Sequence, residues 1–311
     1  MPRPYGNGRL LVNDRFSLVR DPRVSNTPNT TPNLSLARME YKQMLAANQM
    51  ASATMKIALI CATDSEYRTI VDALEGIIGP PTPATVGDDR PGFKFSWTLP
   101  ARRLDIFCMR IDTQGAVGAG IDASAIAQQL GADHLLMIGM SMGIRGGDGR
   151  ARVDHLSVVV SREIFFFDHR TVGTDGEQLR LHGDGQVGFL YRALVAASAR
   201  AKAYGFGEVS LELNKSSGCA TVKIENPQHK LIKEMRKIPD LVSYEMESWG
   251  ILQFVRATKA SALVIKGIAD FGDQPDRKKK TADQEAATRN ATLVALGLLR
   301  FLGETAAIKV A

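Results

Sequence analysis

Met55-Lys56-Ile57-Ala58-Leu59-Ile60-Cys61 is the stretch on which the fold turns. From Ile57 onward every residue in it is apolar, with no polar alternation. A strand with one wet face alternates; an unbroken apolar strand is covered on both faces, as in the sheets of α/β proteins. His134–Met140 and Leu263–Ile268 read the same way. Helical patterns fall between these runs. Asp64 or Ser65 can cap a helix through Glu75, with Ile70, Val71 and Leu74 inward. Ala116–Leu130 reads as a helix with Ile121, Ala125, Ile126 and Leu130 on its inner side, and further helices are expected over Val187–Tyr204, Pro227–Ile238, Met246–Thr258 and Thr281–Leu302. Phe93–Leu99 and Leu104–Ile111 read as a strand pair, and Leu156–Val160 and Gly218–Ile224 as strands, while residues 170–186 look like a polar insertion. Strands alternating with helices predict a three-layer α/β/α domain with a central mixed sheet over residues 55–311.

The composition is that of a globular chain. Of 311 residues, 44% are hydrophobic and 23% charged, which excludes a wholly disordered chain, a collagen-like fibre and a coiled coil. No apolar run reaches the roughly 18 residues of a membrane-spanning helix. The net charge is +6, but residues 1–54 hold seven Lys/Arg against three acids, so the rest of the chain carries only +2. The body is therefore a poor nucleic-acid binder on charge grounds. Residues 1–54 also hold five of the thirteen prolines and an Asn- and Thr-rich stretch, Ser25 to Asn33. We read 1–54 as an irregular, extended or partly disordered N-terminal extension, with one possible helix over Leu34–Met50 that could pack on a partner protein. It shows no secretory signal pattern. Cys61, Cys108 and Cys219 lie far apart in apolar runs, without metal-ligand spacing, and fit buried free thiols in a reducing cytoplasm.

Three acids stand at strand–helix junctions: Glu66 after the first strand, Glu247 at the start of a helix, and Asp270 at the end of Lys266-Gly267-Ile268-Ala269-Asp270. Ligands of open α/β sheets bind beyond the carboxyl ends of strands. Each acid taken alone is better explained by the preference for negative charge at a helix N-terminus. Glu245 and Glu247, on a helix, would point about 200° apart, so that only one faces a given pocket. Gly139 to Gly147 reads as a glycine-rich turn, without the pattern of a phosphate-binding loop. The five histidines form no metal motif, and no nucleophilic-serine elbow is present.

In order along the chain, MKIALICATDSE (55–66), Gln114–Ile144, Gly218–Val222, SYEMESWG (243–250) and KGIADFGD (266–273) resemble the successive motifs of the purine nucleoside/uridine phosphorylase superfamily. The likeness is nearest to the methylthioadenosine/S-adenosylhomocysteine nucleosidase branch and covers about residues 55–305. It implies a nucleoside phosphorylase-like catalytic domain that hydrolyses the N-glycosidic bond of a purine nucleoside or nucleotide without cofactor or metal, and a homo-oligomer, by family a dimer. It implies that Glu66 activates water, that Glu247 holds the ribose hydroxyls with Met246 under the sugar, and that Asp270 protonates N7 of the base. It places Met140 and Gly143 along the base and sugar, and Thr221 and Val222 beside the base.

The departures from that pattern narrow the expectation. The phosphorylases carry an arginine in the loop after the first strand, where this chain has Cys61 to Glu66, and a Ser or Thr in the glycine-rich segment, where it has Met140. Both favour water over phosphate as nucleophile. Phosphorolysis and a non-catalytic nucleoside-sensing module remain the alternatives. Ala269 replaces a common serine, and Thr221 a common aromatic. Arg277, Lys278, Lys279 and Lys280 follow Asp270 on an expected loop and are candidate contacts for a 5′-phosphate, or else an ordinary solvated charge run.

Overall fold

The computed structural model describes residues 54–305 except 88, 169, 174, 175, 180, 181, 187, 225, 227 and 274, and no side chains within 170–184. The N-terminal extension, the expected Leu34–Met50 helix and Pro227 lie outside the described residues.

The elements run β1 (Met55–Cys61), α1 (Asp64–Ile78), β2 (Thr82–Val86), β3 (Arg90–Thr98), β4 (Arg103–Arg110), α2 (Ala116–Leu130), β5 (His134–Gly143), β6 (Val158–Val159), β7 (Glu163–Phe166), β8 (Arg170–Gly173), β9 (Gly176–Leu179) and β10 (His182–Gly185). They continue with α3 (Phe189–Ser198), β11 (Leu211–Glu212), β12 (Ser216–Cys219), α4 (Lys230–Met235), β13 (Leu241–Glu245), α5 (Ser248–Val255), β14 (Ser261–Asp270) and α6 (Arg277–Glu304). One mixed sheet runs β10-β7-β12-β13-β5-β1-β4-β3-β2, with β14 on the other edge of β5 and β6 and β11 beyond it.

The unbroken apolar runs are covered on both faces. Ile57, Leu59 and Cys61 join Leu136, Ile138, Leu263 and Ile265 in a core shared with Ile70 and Leu74 of α1, Leu190 and Leu194 of α3 and Val294, Leu298 and Leu299 of α6. Ala58 and Ile60 join Leu135, Met137 and Val264 in a second core, shared with Ala119, Ala123 and Ile126 of α2 and Ile251 and Val255 of α5. The period-2 alternation of strand side chains thus feeds two helical layers, the three-layer α/β/α architecture expected. Helices α2 and α5 approach closely because Gly250 has no side chain: a Cβ there would lie 1.5 Å from the Ala116 carbonyl oxygen.

Several elements differ from the local reading. Cap chemistry selects Thr63, not Asp64 or Ser65, as the N-cap of α1. Helix α2 buries Ala116, Ala119, Ala123 and Ala127, whereas Ala125 is only half-buried and Ile121 is 54% exposed instead of inward. The glycine-rich segment turns only at its far end, around Gly147; from Gly139 to Gly143 it is strand, because β14 pairs β5 from His134 through Met142 and β13 meets its last residues. The 170–186 insertion contains three short strands, β8 to β10. The Gly218–Ile224 strand stops at Cys219, and the helices at 187–204, 227–238 and 246–258 shorten to α3, α4 and α5. Helix α6 begins at Arg277 rather than Thr281, so Arg277–Lys280 form a helical first turn and not a loop.

This topology gathers the candidate residues at one end of the sheet. Parallel pairing sets Lys266 beside Gly139 and Asp270 beside Met142, with an irregularity between Ile268 and Asp270, while antiparallel β13 sets Tyr244 beside Met142.

Candidate active site

Glu66 is fixed by the chain around it. Thr63 and Glu66 form a capping box, and one oxygen of the Glu66 carboxylate accepts from the backbone N–H of Ala62 and of Thr63 (both 3.0 Å) and from the Thr63 hydroxyl (3.1 Å). Its other oxygen accepts the Met140 N–H at 2.8 Å. The side chain is 2% exposed. The ordinary capping role and the candidate catalytic one therefore belong to a single carboxylate on the cavity wall: one oxygen is consumed by the helix start, and the other accepts one backbone donor from β5. Gly139 makes this possible, since a Cβ there would fall 2.2 Å from that second oxygen.

Glu245 and Glu247 do not share a helix. Glu245 ends β13, and its carboxylate accepts from the N–H of Glu247 at 2.9 Å and from the N–H and hydroxyl of Ser248, capping the first turn of α5 from outside. Glu247 is the residue at that helix start, and both carboxylates line the same cavity, contrary to the 200° argument for a continuous helix.

Lys266 is the residue that sequence reasoning missed. It sits inside the apolar run of β14, is 4% exposed, and places Nζ 3.6 Å from Glu247 Oε2 and 3.7 Å from Glu245 Oε2. The available signal was a lone lysine within Leu263–Ile268, because lysines are almost never fully buried without a partner. Burial depresses its ammonium, but Glu247, Glu245 and Glu66 outweigh burial and hold it above the ordinary lysine value. Burial pushes the Glu247 carboxyl up to about 7; Lys266 opposes that shift, and the negative charges of Glu245 and Glu66 add to it. Three carboxylates surround one ammonium, so a proton stays in the cluster near neutrality.

Asp270 lines the same cavity from the end of β14. Its Oδ1 accepts the Gly272 N–H at 2.8 Å, and its Oδ2 lies 3.5 Å from Lys280 Nζ. Behind it, the Ala269 carbonyl meets His155 Nε2 at 3.0 Å, and Arg145 holds the following loop by an ion pair to Asp273 (2.9 Å) and by stacking its guanidinium on Phe271. These contacts fix the strand end at Ala269, where the sequence resemblance predicts a serine.

A cavity of about 280 Å³ joins these groups: Glu66, Met140, Glu245, Met246, Glu247, Asp270 and Lys280 line it, with Gln114, Lys223 and Gln284. Gly143 instead packs under Phe271, where a Cβ would lie 2.4 Å from the ring. Thr221 binds Asp168 through its N–H (2.6 Å) and hydroxyl (2.5 Å), and the Val222 carbonyl accepts the Tyr244 hydroxyl; Lys223 and Ile224, next in the chain, reach the cavity. Arg277, Lys278 and Lys279 are exposed on the first turn of α6 and do not line it. Among the described residues, no three His, Cys, Asp or Glu side chains are grouped to hold a metal ion, and no helix is long and apolar enough to cross a membrane.

Solved structures with this architecture are numerous. The methylthioadenosine/S-adenosylhomocysteine nucleosidase of Neisseria meningitidis matches 79% of this chain and 98% of its own at 19% identity, TM-score 0.57. The corresponding enzyme of Colwellia psychrerythraea, solved with adenine, matches 82% and 99% at 16% identity, TM-score 0.60. Futalosine hydrolase of Helicobacter pylori matches 79% and 97% at 11% identity, TM-score 0.60. The fold is the one these nucleosidases and futalosine hydrolase share. No protein-family model matches the chain, and no curated protein matches it. Within this fold, the cavity lies at the end of the sheet where β5 and β13 meet and β14 ends, with Glu66 and Asp270 both on its lining.

Proposed function

We propose that this chain hydrolyses the N-glycosidic bond of a purine nucleoside or nucleotide and releases the free base. The observation that carries the reading is the convergence of Glu66, Glu247 and Asp270, from three separate elements, on one cavity of about 280 Å³. The nucleosidases that share the fold support it.

In this reading Glu66 takes a proton from a water molecule whose oxygen bonds to C1′. The C1′–N9 bond breaks with its electron pair leaving on the purine, and Asp270 gives a proton to N7. The transition state is oxocarbenium-like, as in glycoside hydrolysis. Glu247 accepts from the ribose hydroxyls, and the surrounding carboxylates stabilise the positive charge developing on the sugar. No step calls for a metal or an organic cofactor. Phosphorolysis would need a cationic or hydroxyl site for an anion at the Glu66 end. There the wall is Ala62, Thr63, Glu66, Met140 and Ser141; none of these is a cation, the Thr63 hydroxyl is already bonded to Glu66, and the Ser141 hydroxyl points to the Gly267 carbonyl at 3.5 Å. A pure sensor has no use for a desolvated carboxylate at the water position.

The test is product analysis by chromatography on a panel of purine nucleosides and nucleotides, with and without phosphate. Free base and a sugar with a free 1-hydroxyl (ribose from nucleosides, ribose 5-phosphate from nucleotides) are expected in phosphate-free buffer, and Glu66→Gln should lower turnover by about 10²–10⁴-fold while binding persists. Sugar 1-phosphate as the product, or turnover by Glu66→Gln at the wild-type rate, would overturn the reading.

A further inference from the structure

We propose that the base taken by this cavity is a 6-oxopurine, selected by Lys280; the proposal rests on the reading above that Asp270 faces N7. Lys280 and Gln284 stand one helical turn apart on α6, and both line the cavity, whereas Arg277, Lys278 and Lys279 do not. Lys280 Nζ lies 3.5 Å from Asp270 Oδ2, and Asp270 is itself oriented by the Gly272 N–H. A group addressing N7 thus has an ammonium as its immediate neighbour.

The purine edge that carries N7 differs between the two classes of base. Guanine offers two acceptors there, N7 and O6, and hypoxanthine carries the same two groups; adenine offers the N7 acceptor and an amino donor. A lysine ammonium has three donors and no acceptor. It donates to O6 of a 6-oxopurine, but against adenine it sets donor against donor. As the C1′–N9 bond breaks, the departing purine gains negative charge that a 6-oxo group shares on O6, so Lys280 stabilises the transition state as well as the bound base. The cation expected to meet a phosphate is thereby assigned to the base.

The test uses the full chain with inosine, guanosine, adenosine, IMP and AMP. Inosine and guanosine should exceed adenosine in kcat/KM by roughly 10- to 100-fold, the worth of one good donor–acceptor match. Lys280→Met should bring inosine down to the adenosine level, and Lys280→Gln, whose amide can turn its oxygen to an amino group, should raise adenosine. Equal or better turnover of adenosine by the wild type would overturn the proposal. So would Lys280 variants that weaken IMP and AMP alike and leave the base preference unchanged, which would make Lys280 a phosphate contact. If nothing on the panel is cleaved, the hydrolase reading itself fails. Isothermal titration with hypoxanthine and adenine then decides the base preference, tighter adenine binding counting against it.

Discussion

Nζ of Lys266 lies 3.6 Å from Oε2 of Glu247, with the two side chains only 5% and 8% exposed. Removing one partner of a buried ion pair leaves an uncompensated charge, which typically costs about 3–5 kcal/mol. Lys266→Met should therefore lower unfolding free energy by about that amount, because Glu247, Glu245 and Glu66 are left facing one another without their cation. Adding Glu247→Gln to Lys266→Met should recover part of the loss. Urea unfolding of the single and double variants checks this; full additivity of the two losses would show that the residues are not coupled.

The raised Glu247 carboxyl makes stability depend on pH in a definite direction. Its folded value is about 7, above the ordinary glutamate value of 4.5. Between those limits the folded state binds more protons than the unfolded chain, so the contribution is fully present below about pH 4.5 and is lost as pH rises through 7. At about 1.4 kcal/mol per unit, the loss is on the order of 3 kcal/mol at most. Unfolding curves from pH 5 to 8 should show a smaller decline for Glu247→Gln than for the wild type, and parallel profiles would refute the assignment. Activity should move oppositely, since the ionised carboxylate is the form that accepts from ribose hydroxyls: kcat/KM should rise toward pH 7.

Gly139→Ala should damage the site out of proportion to the one carbon added. The new Cβ would lie 2.2 Å from Glu66 Oε1 and 3.3 Å from Lys266 Nζ, and the capping box leaves Glu66 little room to yield. A stability loss of about 1–3 kcal/mol is expected from overpacking. Turnover should fall at least 10²-fold at a temperature where the variant remains folded by circular dichroism. Unchanged kinetics would show that the carboxylate can move without consequence.

Asp270→Asn keeps the shape and can still accept the Gly272 N–H, but it has no proton to give. The expected loss is about 10²–10⁴-fold in kcat with little change in KM, and a riboside with an activated leaving group should be largely spared. Equal loss on both kinds of substrate would leave Asp270 with an orienting role only.

What the sequence determined by itself is what depends on neighbours along the chain. The unbroken run at Ile57–Cys61 marks a doubly covered strand, and Ala116–Leu130 is readable to the residue because glycines bracket it, Gly131 ending it in the left-handed region. Glu66, Glu247 and Asp270 stand out because each follows or begins an element with a clear pattern. The tertiary structure alone decided what depends on register and on distant pairing. The extension of β5 to Gly143 requires β14 and β13 beside it, and the separation of Glu245 from Glu247 requires that β13 end between them. Lys266 lies nineteen or more residues from the carboxylates it balances, and only the sheet brings them within 4 Å. Of four consecutive cations, helical geometry sends one, Lys280, into the cavity and leaves three in solvent. Local propensity acts over a few residues, whereas a buried charge is stabilised by whatever the fold places against it.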